Sequence, residues 1–553
     1  MSFVTSYQNL DISVPKYILR VIAPSVFIGL LLSFVLAFML PYIFLETFFV
    51  FILYLIPLFT TTIAIFYPPV KEEIRSVKID KDLHLFITRL GALSASEMSD
   101  RGFRDIFAEM EMYGELGKEI ERLEKLVNNW NMSLSEAARV ISKNTPSELL
   151  SDFLERLAYA LETQTSPKEF FKDEQETVMD DYSNEFEEML FRLDVLRELY
   201  VASVTICIFG MVLAVITPLV MDIEGNVFIP LSFLLFVVVS FISAWAFFKV
   251  IPRTRIWYKG DIKSDVYRKL DNLFVGGLLL SGAIAIFFLF FDGLPLLLKI
   301  AIISTPLIVP GFFASIEENW IKRRDSNFPS FIRSLAGNTP AQTSDHKESV
   351  GKLRYHDLGK LTDNIRDLYR RLRMNIDSEK SWRHFGSETG SFLINEFSNI
   401  FLKASQHGAH PEQTSPVISE NFIEVKGLRN KKILRAKSLQ SVFYLVIIVL
   451  TLTMVTVFMI VEEINSIIAR VDMPVDVSGG LGELGFIRAA PIDLATYSNF
   501  ILIMILTQAL ISCVVCWHVK GEHKYISVAK FSIMMWLSVV CFYIARLGVM
   551  IIF

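Results

Sequence analysis

Long apolar runs alternate with polar, helix-patterned blocks along this chain. The runs Tyr17–Leu40, Ile43–Tyr67, Tyr200–Met221, Val227–Ile251, Asn272–Phe291, Pro295–Ile316, Leu439–Val461, Thr496–Val519 and Ala529–Ile552 approach or exceed the ~20 residues a helix needs to cross ~30 Å of hydrocarbon. About nine spans are therefore expected. Between them lie two polar blocks, Pro68–Glu198 and Glu317–Lys437. Inside the blocks Ile120, Leu123, Leu126, Val127 and Trp130, and then Phe153, Leu154, Leu157, Ala158 and Leu161, recur at the three-to-four spacing of one helix face. Asn144-Thr145-Pro146-Ser147-Glu148 supplies a polar cap and a proline ahead of the second series, a helix start. Phe186, Leu190, Leu193 and Tyr200 carry the period into the third span, predicting one helix that passes from block to membrane unbroken. Alternating strand patterns are absent. The fold class expected is all-α: a polytopic helical membrane protein with two helical bundles of five or six antiparallel helices each.

The two blocks repeat one another. Asn144–Phe153 aligns without a gap on Glu388–Phe397, and the same offset pairs Ala160 with Ala404, Pro167 with Pro411 and Tyr200 with Tyr444. Upstream, shifted by one, Leu83, Phe86, Ile87 and Leu90 match Phe328, Phe331, Ile332 and Leu335. An echo at one long offset means a doubled module, since solenoid repeats recur every ~20–50 residues. The domain boundaries that follow are an amino-terminal hairpin (1–67), a first bundle (68–198), four spans (199–316), a second bundle (317–437) and three spans (438–553) containing an external loop (462–495).

Composition supports the membrane assignment: 553 residues, 52% hydrophobic, 46 Phe and mean hydropathy +0.44. The first run is too long for a signal-peptide core and reads as a retained span. Lys and Arg in short loops mark the cytoplasmic side. Arg253, Arg255, Lys259, Lys263, Arg268 and Lys269 follow the fourth span, and Lys520, Lys524 and Lys530 the eighth. The alternate short loops hold only Glu46, then Asp222 and Glu224, then Asp292. An amino terminus in the cytosol, a carboxyl terminus outside and both bundles in the cytosol fit every loop. The bundles differ in charge: Pro68–Glu198 carries about 17 basic and 29 acidic residues, Glu317–Arg435 about 20 and 15. Such asymmetry points to different partner surfaces.

Candidate chemistry is sparse. Cys207, Cys513, Cys516 and Cys541 all fall in apolar runs, so they form no disulfide framework; the Cys513/Cys516 spacing lacks the polar setting a reactive thiolate needs. Gly114–Lys118 departs from a phosphate loop in spacing and in Glu119, and the glycine run Gly479–Gly485 lacks a following Lys-Ser/Thr. His407 and His410 have no third ligand at metal spacing. Lys299 and Arg546 are the main charges inside spans; Pro57, Pro218, Pro306 and Pro310 are possible kinks, and Gly277, Ser281 and Gly282 offer a face for close helix contact. No catalytic residue, cofactor or metal is expected. Basic clusters stand out in the second block: Lys322-Arg323-Arg324, Arg370-Arg371 with Arg373, and Arg429 with Lys431-Lys432. Those at membrane ends are also explained by cation preference for the inner leaflet. Arg370, Arg371 and Arg373 lie farther off, where an acidic protein surface is a natural partner. Nucleic acid is not, for want of any basic–aromatic module.

Doubled helical bundles, each feeding membrane helices, resemble the type II secretion F-domain family, the membrane platforms of type IV pilus-like machines. Asn327–Leu335, Ile376–Trp382, Glu388-Thr389-Gly390-Ser391 and the Leu428–Lys432 turn are similar to its archaellum (archaeal flagellum) branch. In the first block Leu85–Arg89 and Thr163-Gln164-Thr165 depart from the pattern. The resemblance implies a non-catalytic platform in the cell membrane, in contact with membrane lipids. It would anchor a hexameric secretion ATPase and couple it to archaellin or pilin subunits, as a homodimer. Arg370, Arg371, Arg373, Arg429, Lys431 and Lys432 are the ATPase-docking candidates. An adhesion-pilus platform is the near alternative. A transporter would need polar residues converging in the bilayer and repeats within the spans, and a membrane enzyme would need paired catalytic side chains at span ends.

Overall fold

The computed structural model describes residues 17, 21–26, 30, 33, 48–94, 113–220, 225–260, 265–290, 293–339, 347–470 and 494–552. Among them, regular structure is helical, with a single isolated bridge between Trp257 and Ser391. In chain order the helices are α1 Phe48–Ser94, α2 Glu115–Asn129, α3 Leu134–Asn144, α4 Glu148–Glu162, α5 Pro167–Val220, α6 Gly225–Val250, α7 Asp265–Leu289, α8 Leu296–Ser304, α9 Ile308–Gly337, α10 Lys347–Leu353, α11 Thr362–Arg373, α12 Ser378–Thr389, α13 Phe392–Gln406, α14 Pro411–Arg470, α15 Leu494–Lys520 and α16 Lys524–Ile552. A 3₁₀ turn, Thr305–Leu307, joins α8 to α9.

Seven helical segments among the described residues are long and apolar enough to cross a membrane, and each overlaps one of the expected spans from Tyr200–Met221 onward. Of the first two expected spans, Tyr17–Leu40 falls largely outside the described residues, and Ile43–Tyr67 enters α1, which is not among the seven. α14 continues to Arg470, into the segment 462–495 expected as an external loop; residues 471–493, with their glycine run, lie outside the described residues.

The repeat is written in the helices. α3, α4 and α5 begin 244 positions before α12, α13 and α14. The starts of α3, α4, α12 and α13 have caps that satisfy amide groups a helix cannot pair internally. Ser133 caps α3 in a reciprocal capping box with Glu136, and Asp377 occupies the same place on α12. Ser147 accepts from the Leu150 amide at the start of α4, and Ser391 from the Ile394 amide at the start of α13. The chain divides into two compact units at Tyr182/Ser183. In the first, Phe86 of α1 packs edge-on against Phe153 of α4. In the second, the equivalent Phe331 and Phe397 sit in a larger aromatic core with Phe328, Trp382, Phe385, Phe401 and Phe422. Each such ring contributes about 1.5–3 kcal/mol by leaving water.

Helix runs from polar block into apolar segment without a break in α5, α9 and α14, the last of 60 residues. The expectation for Phe186–Tyr200 is met in α5. Between apolar helices, Gly311 makes the tightest approach: a Cβ there would collide with Ala529 and the Tyr525 carbonyl of α16. Gly277 approaches the Pro306 carbonyl, whereas Gly282 faces open space.

Candidate functional site

The six basic candidates separate into two groups. Arg370 and Arg373 are exposed in the last turn of α11, where cations favour the negative helix end; Arg370 also pairs with Asp367 at 2.8 Å. Arg371 is half-buried against Glu388. Lys431 is exposed and pairs with Glu187. Arg429 and Lys432, by contrast, are buried. They are 3% and 1% exposed, and their charges meet acceptors inside the packing. Positions 429 and 432 are three apart and share the inward face of α14, while Lys431 points elsewhere.

Arg429 donates to Asp325, which is fully buried in α9. The other carboxylate oxygen of Asp325 accepts from the Ser391 hydroxyl at 2.5 Å, the same hydroxyl that caps α13. One carboxylate thus fixes the entering helix, the leaving helix and an internal helix start. The first block holds the matching pair, with Ser147 donating to Asp80 of α1 and Ser76 adding a bond at 3.1 Å. In sequence, the position 244 before Arg429 is Glu185. Burial pushes the Asp80 carboxyl up to about 6, with Glu73 and Glu148 adding to the rise, against bonds from Ser147 and Ser76 that pull it down. The stabilisation this proton supplies is complete below about 3.8 and is lost as pH rises through about 6. His84, stacked on Tyr182, has the opposite sign: burial lowers its imidazole to about 3, so its contribution is lost on acidification. The variant Asp80→Asn isolates the first effect. Its stability relative to the parent should improve by about 3 kcal/mol between pH 4 and pH 8 in thermal melts; a pH-independent difference would contradict this environment for Asp80.

Lys432 leads to a second node. Its ammonium donates to the Pro252 carbonyl at 2.5 Å and to Thr254 Oγ1 at 2.7 Å. Both acceptors lie in the strap 251–260 between α6 and α7, which the charge pattern had marked only as a cytoplasmic loop. The strap is anchored at every few residues. His518 Nε2 lies 2.8 Å from the Ile251 carbonyl. The Phe392 amide donates to the Ile256 carbonyl at 3.1 Å, and the Tyr258 amide to the Gly390 carbonyl at 2.9 Å. Trp257 Nε1 reaches Glu318 of α9 at 3.4 Å. The strap therefore ties the α12–α13 corner of the bundle to the membrane-proximal ends of α6, α9, α14 and α15. Gly521, at φ +70°, lets the α15–α16 turn pass under it; a Cβ there would strike the Thr254 carbonyl. Beside it Glu522, fully buried, accepts from Lys520 at 2.7 Å and Lys530 at 2.5 Å. Gly521→Ala should cost about 1–2 kcal/mol for the left-handed backbone alone, plus the clash. The check is a lowered Tm; an unchanged Tm would mean the strap does not press on this turn.

Other candidates take ordinary places. His407 ends α13 and His410 precedes α14, together forming the connecting turn. Gly114, at φ +60°, caps α2, and the cysteines are buried in helices. A polar group missed in the apolar pattern is Gln508, which donates to the Tyr200 hydroxyl and to Ser512 at 3.1 Å inside the helix packing. Its signal was an amide in an otherwise apolar run.

Residues 86–218, in the first block and the start of the spans, match the family described as "Type II secretion system (T2SS), protein F". This is the block whose motifs departed from the pattern. Flagella accessory protein J of Methanocaldococcus jannaschii is 31% identical over 96% of this chain and 94% of its own length. The protein of the same name from Methanococcus voltae is 30% identical over 87% of this chain and 88% of its own. No solved structure matches. Two homologous helical blocks continuous with membrane helices, one matching the secretion F domain, define a membrane platform of the type IV pilus-like class. Within that class, the chain belongs to the flagella accessory protein J family.

Proposed function

We propose that this platform works in archaellum assembly, anchoring a hexameric secretion ATPase at its cytosolic face and relaying the ATPase's motion to filament subunits in the membrane. The observation that carries the reading is the strapped, continuous connection from second bundle to spans. A displacement applied to the bundle cannot be absorbed in a loose linker, because α9 and α14 enter the apolar region as unbroken helices. The role is mechanical and breaks no bonds. In this reading both bundles lie in the cytosol, the amino terminus is inside, the carboxyl terminus outside, and two copies form the platform. The ATPase docks on the exposed end of α11, through Arg370 and Arg373, with Lys431 as a further contact. Arg370→Glu/Arg373→Glu should reduce ATPase recovered in a pull-down by about tenfold or more, since like charges juxtaposed across an interface cost several kcal/mol, while leaving Tm unchanged. Undiminished recovery would sink the docking assignment.

A further inference from the structure

Five cations at the base of the second bundle are matched to carboxylates. Lys322 has Glu318, Arg324 has Glu317, Lys520 and Lys530 share Glu522, and Arg429 has Asp325. Among the cations without such a partner, four lie together. Arg253, Arg255 and Lys259 of the strap and Lys524 at the start of α16 have no carboxylate partner among the described residues. Three are instead held against rings: Arg253 over Trp517 at 3.9 Å, Arg255 over Phe392 at 5.4 Å and Lys524 over Tyr525 at 4.9 Å. Such contacts fix direction but leave the charge uncancelled. The four converge, since Arg253, Arg255 and Lys524 all act on Lys259 and, after partial burial, hold its ammonium below the ordinary lysine range. Like charges gathered on a rigid strap, with carboxylates spent elsewhere, form a seat for an anion.

The place of the seat selects the anion. It lies where three apolar helices end, α6 at Val250, α15 at Lys520 and α16 at Lys524. On α6, Phe241, Trp245 and Phe248 share one face and are 60%, 60% and 37% exposed, an apolar track ending just before the strap. We propose that Arg253, Arg255, Lys259 and Lys524 bind the phosphate of an anionic lipid headgroup, whose chain lies along the apolar helices beneath. An occupant of this kind would neutralise the cluster and brace the strap from its membrane side.

The test uses the full chain in detergent micelles doped with equal phosphatidylglycerol and phosphatidylcholine, read by native mass spectrometry for retained lipid. Phosphatidylglycerol should be retained preferentially. Each of Arg255→Gln, Lys259→Gln and Lys524→Gln should weaken retention by about fivefold, a cation near an anionic surface being worth about 1 kcal/mol. These residues are exposed, so Tm in lipid-free detergent should stay unchanged. Inorganic phosphate at millimolar concentration should fail to displace the lipid; efficient displacement would make this a soluble-phosphate site and overturn the lipid assignment. Equal retention of both lipids, or retention unaffected in all three variants, would overturn it as well.

Discussion

Replacing Asp325 by Ala should destabilise the second bundle by about 3–5 kcal/mol, the loss expected when one partner of a buried ion pair is removed. The variant strands the Arg429 guanidinium in a buried site and leaves the Ser391 hydroxyl without its acceptor. The pair itself is not an optimal stabiliser, because Arg429 Nε and Nη1 are buried without partners among the described residues. Its role is to fix which helices meet, the best-attested use of buried charge. The double variant Asp325→Leu/Arg429→Met should therefore recover most of the stability lost in the single one. Thermal melts of both in one detergent decide it; a double variant as unstable as Asp325→Ala would mean the ions supply net stability.

The second large effect is expected at Glu522. Glu522→Ala leaves two ammonium groups, Lys520 and Lys530, facing each other behind the strap with nothing between them. A loss of about 3–5 kcal/mol follows from the uncompensated charge, and salt should restore little of it, since buried charges are screened far less than exposed ones. Glu522→Gln, which keeps the hydrogen-bonding oxygen, should be intermediate. Full recovery of Glu522→Ala in high salt would place the cluster in solvent and contradict the packing described.

Much of this architecture was written in the pattern. Seven of the expected spans, the repeat at 244 positions and the helix starts at Ser147 and Ser391 rest on local periodicity and capping, which a sequence displays directly. The Asp80/Asp325 correspondence was also present in the upstream offset, though nothing local says that these two carboxylates meet serines more than sixty residues away. The strap was illegible for a different reason. Its contacts join Pro252 to Lys432, Ile251 to His518 and Tyr258 to Gly390, pairs defined only once the helices have packed. Charge alone did not show the burial of Arg429 and Lys432. A basic run at a membrane end looks like surface until helical phase is applied, and phase puts 429 and 432 together on the inward face.

The central claim is that the second bundle and its spans move as one body through the strap. Filament assembly by a strap-loosened variant, Trp257→Ala/Lys432→Met, in cells lacking the native chain tests it most directly. This protein should still reach the membrane and still co-purify with the ATPase, yet assemble few or no filaments. Filaments at parental number and length from the same variant would show that force does not pass this way.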